Sequence, residues 1–303
     1  PATLTIRPET SFVQIDVRVK TVAKGEPTLT LLRAPDSRRF TLTGQIPVGS
    51  KPLLRIFPVD DPAGFARALF IEALRREGVE VQASPLQAPR SDLPPRGSPQ
   101  LERVAEFESP PLSEAIKVTL KVSHNLYAST LPLLVASHDA KGPVPKTLHG
   151  GLRMQRAFLK KLGVDVKTIS FGGGAGGAAA DMVTPRATVQ LLGAMQKRPE
   201  WPAYSAGLPV LGEDGTLADA VGPDSPARGK VRAKTGTLGW ADLLNDRFLL
   251  RSKALAGVLT TAKGRELTFA FFVNDLPLQR GAMTTEEGKA LGRLCEIIYQ
   301  HCP

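Results

Sequence analysis

The sequence predicts an α+β protein: an antiparallel sheet with helices packed on it, a mostly helical subdomain beside it, and a small β-rich module in front. Three observations carry this. In residues 13–19, Val13, Ile15, Val17 and Val19 alternate with Gln14, Asp16 and Arg18, which puts the apolar groups on one face of a strand. Residues 253–261 and 267–274 alternate in the same way around a tight turn at Lys263 and Gly264, so they pair antiparallel. Between these blocks lie apolar patterns of helical period with their own start and stop residues.

Residues 28–32, 39–46 and 53–59 read as further short strands of the first module, which is assigned to residues 1–59, with the larger domain over 60–303. A helix follows, with Asp61 as N-cap, Pro62 at the first position, Phe65, Leu69, Ala73 and Leu74 on a broad apolar face, and Gly78 as its stop. Prolines at 85, 89, 94, 95 and 99 mark an extended connection. Two helices over 112–120 and 125–137 flank a loop at 121–124, and Pro132 is placed to kink the second. Another helix spans 150–162 and closes at Gly163, and Thr184 with Pro185 starts one that reaches about residue 197. Thr284 and Glu287 form a capping box for a last helix, whose Leu291, Leu294 and Ile298 cover the sheet.

The chain has 303 residues, 42% of them hydrophobic, enough to bury a sizeable core. Its net charge of +10 raises the question of an anionic partner. The basic residues are scattered as pairs such as Arg38, Arg39 and Lys160, Lys161, without a long run or a nucleic-acid motif, so a solvated surface is expected and no nucleic acid. Two cysteines, Cys295 and Cys302, are too far apart for a disulfide if one helix carries both. The glycine-rich segment FGGGAGGAAA at 171–180 lacks the Gly-Lys-Ser/Thr ending of a phosphate loop, and no nucleotide is expected there. No metal or organic cofactor is expected.

The chemistry concentrates in VRAKTGTLGWAD, residues 231–242. A strand edge there would grip an extended ligand through its backbone, and Gly236 lets that ligand approach closely. Lys234 adds a fixed positive charge, and Thr235 and Thr237 add short donors suited to a carboxylate. The chain is expected to turn at Gly239. Upstream stands Ser123-His124-Asn125, a Ser-x-Asn motif.

Ser-x-Asn followed by Lys-Thr-Gly-Thr resembles two of the three active-site motifs of penicillin-recognising serine acyl enzymes. With DMVTPRATVQLL (181–192), LPVLGEDGTLAD (208–219) and GKVRAKTGTL (229–238), the chain is similar to the D-alanyl-D-alanine carboxypeptidase and endopeptidase family of class C penicillin-binding proteins. The resemblance implies the penicillin-binding-protein/β-lactamase-like transpeptidase fold, with residues 1–59 as the end of an inserted domain. It implies a serine-type carboxypeptidase acting through an acyl-enzyme on peptidoglycan stem peptides outside the cytoplasmic membrane, with β-lactams as covalent inhibitors. Ser123 would relay a proton to the leaving amine, Asn125 would hold the substrate amide, and Lys234 would keep the cleft positive. Thr235, Gly236 and Thr237 would bind substrate.

The family's nucleophile lies in a Ser-x-x-Lys motif upstream of Ser-x-Asn. No serine here has lysine three residues on: Ser113 with Lys117 and Ser137 with Lys141 are each one residue too long. The expectation is therefore a C-terminal portion of a longer protein, inactive by itself. The alternative is a non-catalytic wall-binding or scaffold protein that has lost the nucleophile. A Ser-His-Asp hydrolase using His124, His138 or His149 is disfavoured by the absence of a Gly-x-Ser-x-Gly elbow.

Overall fold

The computed structural model describes residues 2–87, 98–99, 101–138, 144–279 and 284–302. The chain divides into two compact units, Pro1–Ala105 and Glu106–Pro303.

In the first unit, strands β1 (Gln14–Val22), β2 (Thr28–Arg33) and β3 (Arg39–Pro47) form a sheet in the order β1-β3-β2, with β1 parallel and β2 antiparallel to β3. Helix α1 (Pro62–Arg76) belongs with this sheet and not with the second unit. Phe65 on α1 meets Phe12 ahead of β1 with ring centroids 5.4 Å apart, and the Ser11 N–H donates to Glu72 Oε1 at 2.9 Å. Asp61 caps the helix as expected, accepting from the Gly64 N–H at 2.8 Å. Residues 53–59 form no strand, which corrects the expectation. Leu54 and Ile56 lie 79% and 86% exposed, because no neighbouring described strand offers that apolar run a ladder or a face. Of the proline-rich connection, residues 88–97 and 100 lie outside the described residues.

The second unit is built on a sheet of β6 (Val231–Asp242), β7 (Arg247–Thr260) and β8 (Glu266–Leu278), antiparallel throughout and ordered β6-β7-β8, so β6 is an edge among the described residues. Helix α7 (Thr285–His301) covers one face. Leu291 and Cys295 pack with Val231, Ala233, Leu255, Leu259 and Phe269, and each fully buried aliphatic side chain contributes about 1.5–3 kcal/mol. Cys295, and not Leu294, takes the central place. It is four residues from Leu291 and three from Ile298, whereas Leu294 turns outward and is 41% exposed. The capping box is also corrected: Thr284 is the N-cap, but it makes no side-chain cap bond, and its hydroxyl instead accepts from Lys253 Nζ at 3.0 Å. Both cysteines are free, with α7 running through His301 between them.

Two details of the sheet govern the site. The strand does not turn at Gly239: the β6/β7 register shifts by one between Leu238 and Gly239, a bulge, and the hairpin continues to Asp242 paired with Arg247. Asp242 then accepts from Asn245 Nδ2 at 2.8 Å and Arg247 Nε at 2.7 Å, which closes the turn. Beneath Lys234, Gly257 of β7 lies so close to β6 that a Cβ there would stand 2.1 Å from the Arg232 carbonyl oxygen. Only a glycine lets the strands approach this closely.

The second unit also contains α2 (Leu112–Val122), α3 (Asn125–His138), α4 (Leu148–Lys161), α5 (Pro185–Met195) and α6 (Trp201–Gly207), with a two-residue ladder of β4 (Ile169–Ser170) and β5 (Met182–Val183); α2 packs with α6, α3 with α4, and α5 against β7 and β8. Thr184 caps α5 by accepting from the Ala187 N–H, and Thr147 caps α4 by accepting from Gly150. Helix α6 and the 3-10 turn Gly215–Leu217 carry no periodic signal long enough to be read from sequence.

Candidate active site

Ser123 sits where α2 ends. Its backbone is left-handed, φ 56° and ψ 52°, and the N–H groups of Ser123 and His124 both return to the Thr119 carbonyl. Glycine or asparagine is the usual residue at such a cap, and a side chain with a Cβ costs about 1–2 kcal/mol there. Accepting that strain turns the chain sharply into α3 and lifts the hydroxyl out of both helices. His124 starts α3: its carbonyl accepts from the Ala128 N–H and its Nδ1 from the Tyr127 N–H at 3.3 Å. The imidazole is thus committed to the backbone and lies tilted against the Tyr127 ring, centroids 4.1 Å apart, and the group that meets Ser123 Oγ is an ammonium.

That ammonium is Lys234, which leaves the edge strand and donates to Ser123 Oγ and to the Thr235 carbonyl at 2.7 Å. Burial pushes its pKa down to about 8, since the charged form gives up water for two neutral acceptors. Thr235 is tied down as well, its hydroxyl sharing a 2.6 Å hydrogen bond with that of Thr216. Gly236 has only the Ala254 Cβ near its own Cβ position, at 3.5 Å, and Thr237 is exposed.

These residues line one open cleft of about 1890 Å³, together with Asn125 from the first turn of α3. The structure therefore brings all six expected site residues to one cavity and joins Ser123 to Lys234 directly. The cleft exceeds the ~300–1,000 Å³ of an ordinary small-molecule pocket. The glycine-rich segment borders it. The N–H groups of Gly172 and Ala178 are taken by the Asp181 carboxylate, at 2.7 and 2.8 Å. Thr216, which also lines the cleft, is not singled out by sequence reading. The block LPVLGEDGTLAD carries it, but nothing in a single sequence says that its threonine turns toward Thr235.

A serine hydroxyl thus accepts from a partly desolvated lysine on the outer strand of an antiparallel sheet, and the two residues come from the Ser-x-Asn and Lys-Thr-Gly motifs. The model of the D-Ala-D-Ala carboxypeptidase 3 (S13) family matches residues 1–292, and the chain belongs to that family. It is 31% identical over 255 residues to a D-alanyl-D-alanine carboxypeptidase of Actinomadura sp., covering 81% of this chain and 45% of that protein. To the D-alanyl-D-alanine carboxypeptidase DacB of Haemophilus influenzae it is 27% identical over 240 residues, 79% of this chain and 46% of that one. The chain thus spans about half the length of the relatives it matches. The fold is that of the crystal structure of penicillin-binding protein 4 from H. influenzae complexed with a β-lactam. The TM-score is 0.66 at 23% identity, over 96% of this chain and 64% of that one.

Proposed function

We propose that this chain supplies the proton-relay and carboxylate-binding half of a serine-type D-Ala-D-Ala carboxypeptidase or endopeptidase, and that the acylating serine and its lysine belong to a segment outside these 303 residues. The Lys234 to Ser123 hydrogen bond is the observation that supports this reading most. A hydroxyl held by an ammonium can pass a proton in either direction, and a fixed charge beside Thr235 and Thr237 suits the C-terminal carboxylate of a stem peptide.

In the proposed mechanism the outside lysine takes the proton of the outside serine, whose oxygen bonds to the carbonyl carbon of the penultimate D-alanine. The C–N bond to the terminal D-alanine breaks, and the lysine's proton replaces the one Ser123 gives up. Ser123 then hands a proton to the departing D-alanine nitrogen, and Lys234 holds Ser123 in position and keeps the cleft positive. Asn125 orients the substrate amide. Thr235 and Thr237 take the carboxylate, the Thr237 N–H takes the developing oxyanion, and Gly236 leaves room for the ligand backbone along the strand. Peptidoglycan stem peptides are the substrates, β-lactams the covalent inhibitors, and the compartment is extracytoplasmic.

Hydrolysis of a D-Ala-D-Ala peptide by a form that includes a Ser-x-x-Lys segment tests the reading. Ser123→Ala and Lys234→Ala should each lower kcat by about 10²–10⁴, the range of a lost general acid-base step. The 303-residue chain should not turn over, and turnover by it that vanishes on Lys234→Ala contradicts the proposal. The lack of any Ser-x-x-Lys within the chain favours a second reading, a wall-binding or scaffold protein without catalysis. Inactivity of the form that carries the segment would decide for it.

A further inference from the structure

Ser123 and Lys234 belong to different elements, so some contact must set the spacing between the end of α2 and the root of β6. We propose that Lys121 and Asp214 are positioning residues that hold Ser123 within reach of Lys234.

The geometry closes a ring. Two residues before Ser123, the Lys121 ammonium donates to Asp214 Oδ1 at 2.7 Å, to Asp214 Oδ2 at 2.6 Å and to the Leu208 carbonyl at 2.6 Å. The Lys121 side chain is 16% exposed and that of Asp214 45%, so the ammonium is largely shielded and held by three contacts while the carboxylate keeps part of its water. Asp214 Oδ1 also accepts from the Val210 N–H at 2.8 Å. Partial burial pushes the Asp214 carboxyl up. The Lys121 and Val210 hydrogen bonds and the charges of Lys121 and Arg232 outweigh it and hold the pKa below the usual aspartate value.

The segment that Asp214 grips is strapped to the strand bearing Lys234. The Ala233 N–H donates to the Pro209 carbonyl at 3.0 Å, the Leu211 N–H to the Val231 carbonyl at 3.0 Å, and Val210 bridges Arg232. Leu208, Val210 and Leu211 are buried, which stiffens the strap. Past Asp214, Gly215 turns at φ +56°, where a Cβ would stand 2.6 Å from the Lys121 carbonyl oxygen, and Thr216 reaches Thr235. Displacing the end of α2 by about 1 Å would break the Ser123 contact, because hydrogen bonds weaken steeply with distance and angle.

The consequence for catalysis rests on the function proposed above, but the positioning does not, so the test uses the 303-residue chain without substrate. The probe is the titration of Lys234 followed by NMR of ¹³Cε-labelled lysine, assigned by loss of the signal in Lys234→Met. The wild-type midpoint is expected at about 8, set by burial. Asp214→Asn keeps an acceptor for the Val210 N–H, removes the charge and puts an NH2 donor where Oδ2 accepts from Lys121. Loss of a nearby carboxylate would by itself lower a lysine midpoint, so a rise reports that the pocket has opened. The expected result is a rise of about one unit, a tenfold change, with at least half of it reversed in Asp214→Glu. Gly215→Ala changes no charge and should raise the midpoint as well. A midpoint unchanged or lowered in a folded Asp214→Asn or Gly215→Ala chain overturns the proposal. Loss of activity for any other reason leaves this titration untouched, so the two readings fail separately.

Discussion

Lys234 donates its ammonium to Ser123 Oγ across 111 residues of sequence, joining the edge strand of the sheet to the strained end of α2. Each partner is in an unusual state. The serine stands in a left-handed turn that favours glycine, and the lysine is desolvated far enough to titrate near 8.

The lysine makes stability depend on pH. Its pKa is about 8 in the folded chain against 10.5 for an ordinary lysine, so the unfolded chain binds more protons between those values. Stability therefore rises with pH across that window, and the cost of burying the charge is present in full below it. Lys253 shifts in the same direction, so the informative quantity is the difference between wild type and Lys234→Met. Urea unfolding of both at pH 7.5 and pH 10 should show wild type gaining on the variant at the higher pH.

Substitutions at Ser123 separate strain from chemistry. Ala and Gly both remove the hydroxyl, but only Gly relieves the left-handed backbone. Ser123→Gly should be more stable than Ser123→Ala by about 1 kcal/mol, as read from denaturant midpoints, with the proton relay lost in both.

Gly257→Ala should strike the site from behind. The new methyl would meet the Arg232 carbonyl at 2.1 Å and the Ala233 Cα at 2.5 Å, one residue from Lys234. A loss of about 1–3 kcal/mol is expected, the usual result of overpacking, and thermal unfolding measures it.

The two thiols should differ in reactivity. Burial, followed by the charge of Glu296, pushes Cys295 up to about 12, whereas Cys302 lies past the end of α7 and is only half-buried. A thiol-disulfide reagent at pH 8 should titrate one cysteine in the native chain and the second only on unfolding.

Much of this architecture was legible from residues alone. Alternation marks β1 and the β7/β8 pair, short runs between Gly and Pro turns mark β2 and β3, and Asp61, Thr184 and Pro185 mark the starts of α1 and α5. The failures share a cause, which is that local pattern does not reveal partners. The apolar run at 53–59 looks like a strand but has no partner strand among the described residues, and Gly239 looks like a turn but is a bulge fixed by its register with β7. Thr284 fits a capping box, yet Lys253, 31 residues away, takes its hydroxyl. At the site, the motifs named Ser123, Asn125, Lys234, Thr235, Gly236 and Thr237. The Thr216 hydroxyl and the Lys121–Asp214 brace arise only when a distant segment folds back onto β6.

The central claim is that this chain holds the relay without the nucleophile. Its most direct test is intact-mass spectrometry after incubation with a fluorescent penicillin, applied to the 303-residue chain and to a longer form containing a Ser-x-x-Lys segment. A covalent adduct is expected on the longer form alone. An adduct on the 303-residue chain, or none on either, contradicts the claim.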